Sequence, residues 1–277
     1  MSDSEDQAGV PLIEDLSDSP KPQKSKSTKR KREADDESKK AARKKKRTKK
    51  KPDDVDDSSL DSELGINRSI ARMDSQLMAD HIAQRTRRFQ PDLSAVELED
   101  VHIPAKAILD STAFEKPRIT DVLPEFLEQF AGTAKRKKKL SHASADKGSP
   151  HTLIITGAGL RAADLTRALR KFETKDSKVA KLFAKHIKLK EAIEAAKKTK
   201  MGIGVGTPQR VIDLLEDGAL TMERLERIVV DASHIDQKKR GVLDMKEIQV
   251  PLVQLLGRED LKKCYGKGDG KVELLFF

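Results

Sequence analysis

Residues 202–236 read GIGVGTPQRVIDLLEDGALTMERLERIVVDASHID. With Met201 they open on a short apolar run (MGIGV, 201–205), pass through helical spacing at 209–215 and close on a second apolar run (RIVVD, 227–231). That order predicts two parallel strands joined by a crossover helix. The alternation extends both ways, with runs TLIIT at 152–156, VAKLFA at 179–184 and VELLFF at 272–277, and helical patterns at 160–172, 189–198 and 242–256. Five short strands alternating with helices predict one α/β domain, a parallel sheet covered by helices on both faces.

Upstream, Ile66, Ile70, Met73, Leu77 and Ile82 recur at helical intervals, and Pro91 ends the pattern because proline lacks a backbone donor and disfavours helical geometry in the residue before it. Arg68, Arg72, Arg85, Arg87 and Arg88 punctuate this segment, which suits packing onto its own domain or lying along RNA or a protein groove. Residues 92–110 read as irregular with a short turn of helix, and 119–130 as a second helix with Pro124 near its start. Residues 132–149, carrying Lys135 to Lys139 without apolar periodicity, read as a polar loop.

The first 57 residues differ in kind. They hold no aromatic residue and only ten aliphatic or Met residues, too little apolar surface to offset chain ordering, which predicts a disordered tail. Its head and its end are acidic, and residues 21–51 between them carry 17 basic against four acidic residues. Lys29, Arg30, Lys31 and Arg32 form one cluster; Lys39 and Lys40 with Arg43, Lys44, Lys45, Lys46, Arg47 and Lys49 to Lys51 form another. The spacing suits a bipartite nuclear import signal, and the same charges attract phosphate backbones by counterion release. Removing the tail's 17 basic and 14 acidic residues from the 56 and 46 of the whole chain leaves 39 against 32, so the remainder is basic too. The organisation expected is a tail (1–57), a helical extension (58–110) and the α/β domain (111–277).

One Cys excludes an intramolecular disulfide and an all-Cys zinc site, and six scattered His lack ligand spacing, so no metal is expected. No stretch approaches the roughly 18 apolar residues of a membrane span, and the first 20 residues are acidic and polar, without the pattern of a signal peptide, so no membrane association and no secretion are expected.

Ligands of an open α/β sheet bind at the carboxyl ends of its strands, which singles out three loops. Gly157-Ala158-Gly159-Leu160-Arg161-Ala162 matches G-x-G-x-x-A but lacks the acidic residue ending a second strand about 20 positions on that a dinucleotide site needs, so its glycines serve a tight strand-to-helix turn. A phosphate still suits that helix amino terminus. The other two loops are Thr207-Pro208-Gln209-Arg210 and Asp231-Ala232-Ser233-His234.

The order of these last two resembles the first RecA-like domain of DEAD-box RNA helicases, where a T-P-G-R motif gripping RNA precedes a strand ending in D-E-A-D. TLIITGAGLRAADL stands in the place of that family's P-T-R-E-L segment. The departures are chemical. Residues 111–151 contain no G-x-x-x-x-G-K-[ST], and Gly270-Lys271 precedes a strand rather than following one. Ala232 stands where the helicase has the glutamate that works on water, and an alanine cannot polarise it. The sequence reaches Phe277 on the strand that would lead into the helicase S-A-T motif, without a second RecA-like domain.

A single degenerate RecA-like domain behind a basic tail is similar to the Cms family of nucleolar proteins (complementation-of-mcm suppressors). The segments carrying the likeness are ELEDVHIPAKAILD, LFAKHIKLKEAI, GTPQRVIDLLEDGAL, IVVDASHID and KVELLFF. The resemblance implies a nuclear and nucleolar assembly factor of the small-subunit processome, without enzymatic activity or cofactor, whose partners are RNA (pre-ribosomal RNA or U3 snoRNA) and ribosome-assembly proteins. By position in the motifs it puts RNA contacts at Thr207 and Arg210, with Gln209 adding bulk where the helicases have glycine, and further contacts at Gly157, Gly159 and Arg161. The bland reading of Thr207-Pro208 is a helix start, cap then first position. His234 is a further candidate contact. An active ATP-dependent helicase and a DNA-replication or chromatin factor stand as alternatives.

Overall fold

The strands expected from the apolar runs pair in parallel. In the computed structural model, which describes residues 57–131, 139–184, 187–266 and 272–277, they are β3 (Thr152–Ile155), β4 (Lys178–Leu182), β5 (Met201–Gly206), β6 (Arg227–Val230) and β7 (Glu273–Phe276), ordered β4-β5-β3-β6-β7. Every residue of β3, β5 and β6 is buried, as strands covered on both faces require. β3 is central, pairing Ile154 with Val205 on one side and Val229 on the other. Beyond β7 a single parallel bridge, Ile108 to Leu274, extends the sheet by one residue.

Alternation sorts the strand side chains into two cores. Ile154, Ile203, Val205, Val229, Leu275 and Phe277 meet α3 (Leu123–Phe130) and α4 (Gly159–Ala168) on one face. Phe126 is the hub there, its ring 5.2 Å from Phe114 and 5.0 Å from Phe277, both edge-on. On the other face Leu153, Ile155, Ile228, Val230, Leu274 and Phe276 meet α5 (Leu189–Lys198), α6 (Pro208–Glu216) and α7 (Lys246–Leu256). Glycine on that side of β5 lets neighbours close in: a Cβ on Gly206 would lie 2.4 Å from the Leu182 carbonyl oxygen.

The amino-terminal extension is built differently from its sequence pattern. The helix expected from Ile66 onward starts only at Ser75, where the Asp74 side chain accepts from the Leu77 amide and caps α1 (Ser75–Phe89). Ile66 belongs instead to β2 (Ile66–Asn67), paired antiparallel with β1 (Leu60–Asp61), and Ile70 to a single 3-10 turn. Met78, Ala79 and Ile82 of α1 share the core of the α7 face, and Gln249 Nε2 of α7 donates to Thr86 Oγ1 of α1 at 2.8 Å. Residues 58–110 and 111–277 therefore share one core, within a unit that spans Val55–Phe277. α2 (Ala95–Asp100) follows, closed by a Ser94/Glu97 capping box.

The polar insert is a packed loop over its second half. Leu140 and Ser149 are buried, and Gly148, at φ +69°, brings its backbone against the Ala219 carbonyl. Residues 1–56 of the tail with both import clusters, Lys135 to Lys138, and Gly270-Lys271 lie outside the described residues, while Asp57 opens a 3-10 turn (Asp57–Ser59). No described helix is long and apolar enough to cross a membrane.

Candidate nucleic-acid interface at the carboxyl end of the sheet

Two of the three loops come together over β3 and β6. β3 delivers Thr156, the 157–159 turn starts α4, and α4's first turn carries Arg161; β6 delivers Asp231. The Asp231 carboxylate accepts from Thr156 Oγ1 at 2.8 Å and from Arg161 Nε at 2.9 Å on one oxygen, and from Arg161 Nη2 at 2.9 Å on the other. Arg161 Nη1 reaches on to Thr120 Oγ1. Only 1% of the Asp231 side chain and 11% of the Arg161 side chain meet solvent. Burial alone would lower the Arg161 pKa; the hydrogen bonds and charge of Asp231 outweigh it and raise it.

The residues after Asp231 are occupied as well. The Ala232 and Ser233 amides both donate to the Phe277 carbonyl, at 2.8 and 2.7 Å. From the other side the 65–67 strap crosses the loop: Asn67 N donates to Ser233 O at 2.6 Å, Ile235 N to Gly65 O at 3.0 Å, and Ile66 bridges antiparallel to His234. His234 is thus half-buried beneath the amino-terminal hairpin, and burial, reinforced by the Arg161 charge, holds its pKa below the ordinary imidazole value. A neutral ring adds no positive charge toward phosphate.

Arg118 fills the corresponding place at the sheet's edge. Its guanidinium donates to the Phe276 carbonyl, to Ser111 O at 2.9 Å and to Ser111 Oγ at 3.0 Å, and lies 5.6 Å from the Phe126 ring centre. Burial pushes its pKa down to about 10, leaving it charged at neutral pH. Sequence reading missed Arg118; its one signal, an arginine in an otherwise ordinary loop, does not tell a buried brace from a surface charge.

The loop after β5 stands apart. Thr207 is the residue before α6, its side chain making no cap bond, and Pro208 takes the first helical position. Arg210 points inward: it is 8% exposed, and its Nη1 donates to Ile187 O at 3.2 Å. Gln209 is exposed and donates to Asp213 Oδ1 at 2.9 Å, one turn along the same helix. Gly157 sits where a Cβ would approach Met245 Cε at 3.3 Å, and Gly159 opens α4. Of the six residues proposed for RNA contact, the fold commits both arginines to protein partners and leaves Gln209 on the surface. Among the described residues no three His, Cys, Asp or Glu gather to hold a metal ion.

Residues 23–277 match the family described as CMS1, U3-containing 90S pre-ribosomal complex subunit. Protein CMS1 of Chaetomium thermophilum is 58% identical over 222 residues, 80% of this chain and 87% of that protein. Protein CMSS1 of Homo sapiens is 32% identical over 189 residues, 68% of this chain and 62% of the human protein. Protein cms1 of Schizosaccharomyces pombe is 33% identical over 179 residues, 65% of this chain and 62% of that protein. The chain thus spans less than two thirds of these last two relatives. Among solved structures, the yeast DEAD-box splicing factor Prp28 is similar with a TM-score of 0.38 and 20% identity, over 57% of this chain and 33% of that one.

Proposed function

The chain belongs to the CMS1 family of U3-containing 90S pre-ribosomal complex subunits, and from that premise we propose that it is a non-enzymatic RNA- and protein-binding assembly factor of early ribosome biogenesis. It works in the nucleolus, reached through the basic clusters at 29–32 and 39–51, and its RNA partner is pre-ribosomal RNA or U3 snoRNA.

The observation that carries the non-enzymatic reading is the state of Asp231. A carboxylate that serves magnesium and triphosphate must offer oxygen lone pairs to the ion or its waters. Here both oxygens are taken by Arg161 and Thr156. Ala232, the next residue, has no group to orient water, and Arg118 with Ser111 occupies the carboxyl end beside β7. Phosphoryl transfer is electrostatics and positioning, and this end of the sheet presents an internally neutralised ion pair to work with.

RNA binding rests on charge and company. The chain carries a net charge of +10, and basic proteins of an RNA-rich assembly gain affinity from phosphate neutralisation without reading sequence. The test is direct. Purified protein should bind single-stranded RNA in a salt-dependent way while showing no ATP turnover and no binding of a fluorescent ATP analogue. RNA-stimulated ATP hydrolysis that survives repurification and disappears in Asp231→Ala would overturn the reading.

A further inference from the structure

Two cavities partly open to solvent lie against the amino-terminal hairpin and touch the strand-end loops only at Ser233. One cavity, of about 410 Å³, has Asn67, Arg68, Ser69, Arg72, His81 and Arg85 in its wall and no carboxylate among its lining residues. A second, of about 390 Å³, shares Asn67, Arg68 and Arg72 with the first and adds Lys116 and Arg118, with Glu115 as its one acid. The two cavities are thus neighbours on either side of shared walls, and Ser233 lines the second.

Their cations are unequally satisfied. Arg68 pairs with Asp61 while staying half-exposed, and Arg85 pairs with Asp244 at 3.1 Å. Arg72 is exposed and has no carboxylate within ion-pair distance among the described residues. On the floor of the first cavity Arg85 is 8% exposed, and its Nε is buried with no hydrogen-bond acceptor among the described residues. The Asp244 pair already compensates the Arg85 charge, so the cation this wall leaves to an anion is the exposed Arg72.

We propose that this groove takes the sugar-phosphate backbone of RNA, with Arg68 and Arg72 on neighbouring phosphates and Arg85 below them. The inference rests on the RNA-binding reading above and gives it a surface other than the loop after β5. Three features favour a polynucleotide over a free nucleotide. Two neighbouring cavities, each partly open to solvent, offer more than one phosphate-sized place rather than one closed pocket. The groove's one phenyl ring, Phe114, is itself buried and offers no platform for a base. Apart from His81 and Glu115, its polar lining is arginine, lysine, serine, threonine and asparagine, which suit phosphate oxygens. Contact with phosphates alone implies binding without sequence preference.

The experiment uses the full chain with the lysines and arginines of 29–32 and 39–51 replaced by glutamine and serine, so that the tail's diffuse attraction is removed. Affinity for single-stranded oligouridine is then measured by fluorescence anisotropy across several salt concentrations. Adding Arg68→Ala and Arg72→Ala should weaken binding about tenfold at low salt and lower the salt slope by about 1.4, or about 0.7 per lost phosphate contact. Arg72→Lys should keep the slope, and Arg72→Ala alone, at an exposed position, provides the answer if the double variant fails to melt like its parent. Three results overturn the assignment. If the tail-neutralised chain binds RNA and the arginine variants bind as well as it does, the RNA reading stands and the groove is wrong. If they keep RNA but lose capture of a phosphoserine peptide, the groove belongs to a phosphoprotein. If neither the native nor the tail-neutralised chain binds RNA, the functional reading falls and the groove with it.

Discussion

Asp231 and Arg161 stand 70 residues apart in sequence and share two direct hydrogen bonds. Each was legible as a site candidate, yet their pairing was not, because only the close packing of β3 on β6 brings α4's first turn over the end of β6. The pair is a buried ion bridge, so removing one partner strands the other's charge. Asp231→Asn should therefore lower unfolding free energy by about 3 kcal/mol in urea titration. Arg161→Met combined with Asp231→Leu should recover most of that loss, which a loop serving only ligand would not do. At the opposite end of the sheet His151 makes a second residue-scale prediction. Burial first, then the Arg227 charge, pushes its pKa down to about 4. The native state thus refuses a proton that the unfolded chain accepts at an ordinary value of about 6.5. Between these values the unfolded state binds more protons, so stability is full above about pH 6.5 and falls as pH drops toward 4, by about 2 kcal/mol at pH 5. His151→Gln should flatten the midpoint-against-pH curve in that window. An unchanged curve would mean that His151 does not carry the effect.

Strands were easier to read than their neighbours, since short apolar runs such as Thr152–Ile155 stay apolar whichever way they face. The amino-terminal helix shows the reverse. Ile66 and Ile70 fit helical spacing, yet their burial comes from the strap on the 231–235 loop and a 3-10 turn, and Asp74 sets the true start. A periodic pattern records which residues are buried, not against what. At this scale β5 and α3 make the sharpest prediction. Gly206→Ala places a methyl 2.4 Å from the Leu182 carbonyl oxygen, on backbone that cannot rotate away. It should cost about 2–3 kcal/mol, seen as a lower denaturation midpoint with little change in slope. Phe126→Ala removes the ring that touches Phe114, Phe130 and Phe277 and should cost about 4 kcal/mol. A change under 1 kcal/mol in either would show that the corresponding packing is not what holds that face.

For the whole molecule the decisive fact is that α1 and the 103–108 segment complete the α7-side core. Met78, Ile82, Ile103 and Ile108 are each at most 7% exposed there. Each such side chain is worth about 1.5–3 kcal/mol when buried, so four together rival the 5–15 kcal/mol that typically holds a domain. A fragment of residues 57–277 should unfold in one transition at the full chain's midpoint, whereas 111–277 should show no cooperative transition by circular dichroism. A cooperative melt of 111–277 would restore the boundary at 110. By itself the sequence determined the fold class, the five parallel strands and the absent G-K-T, because hydrophobic period and motif chemistry are local properties of the chain. It also singled out Thr207, Arg210 and Asp231 as residues at strand ends. Only the tertiary structure decided which way those side chains face. Arg210 turns to a carbonyl at Ile187, and Arg161 finds Asp231. Arg72 stays in an open groove without a carboxylate partner among the described residues. The physical reason is that a charged side chain goes where its desolvation is compensated, and the compensating partners are contributed by segments distant in sequence.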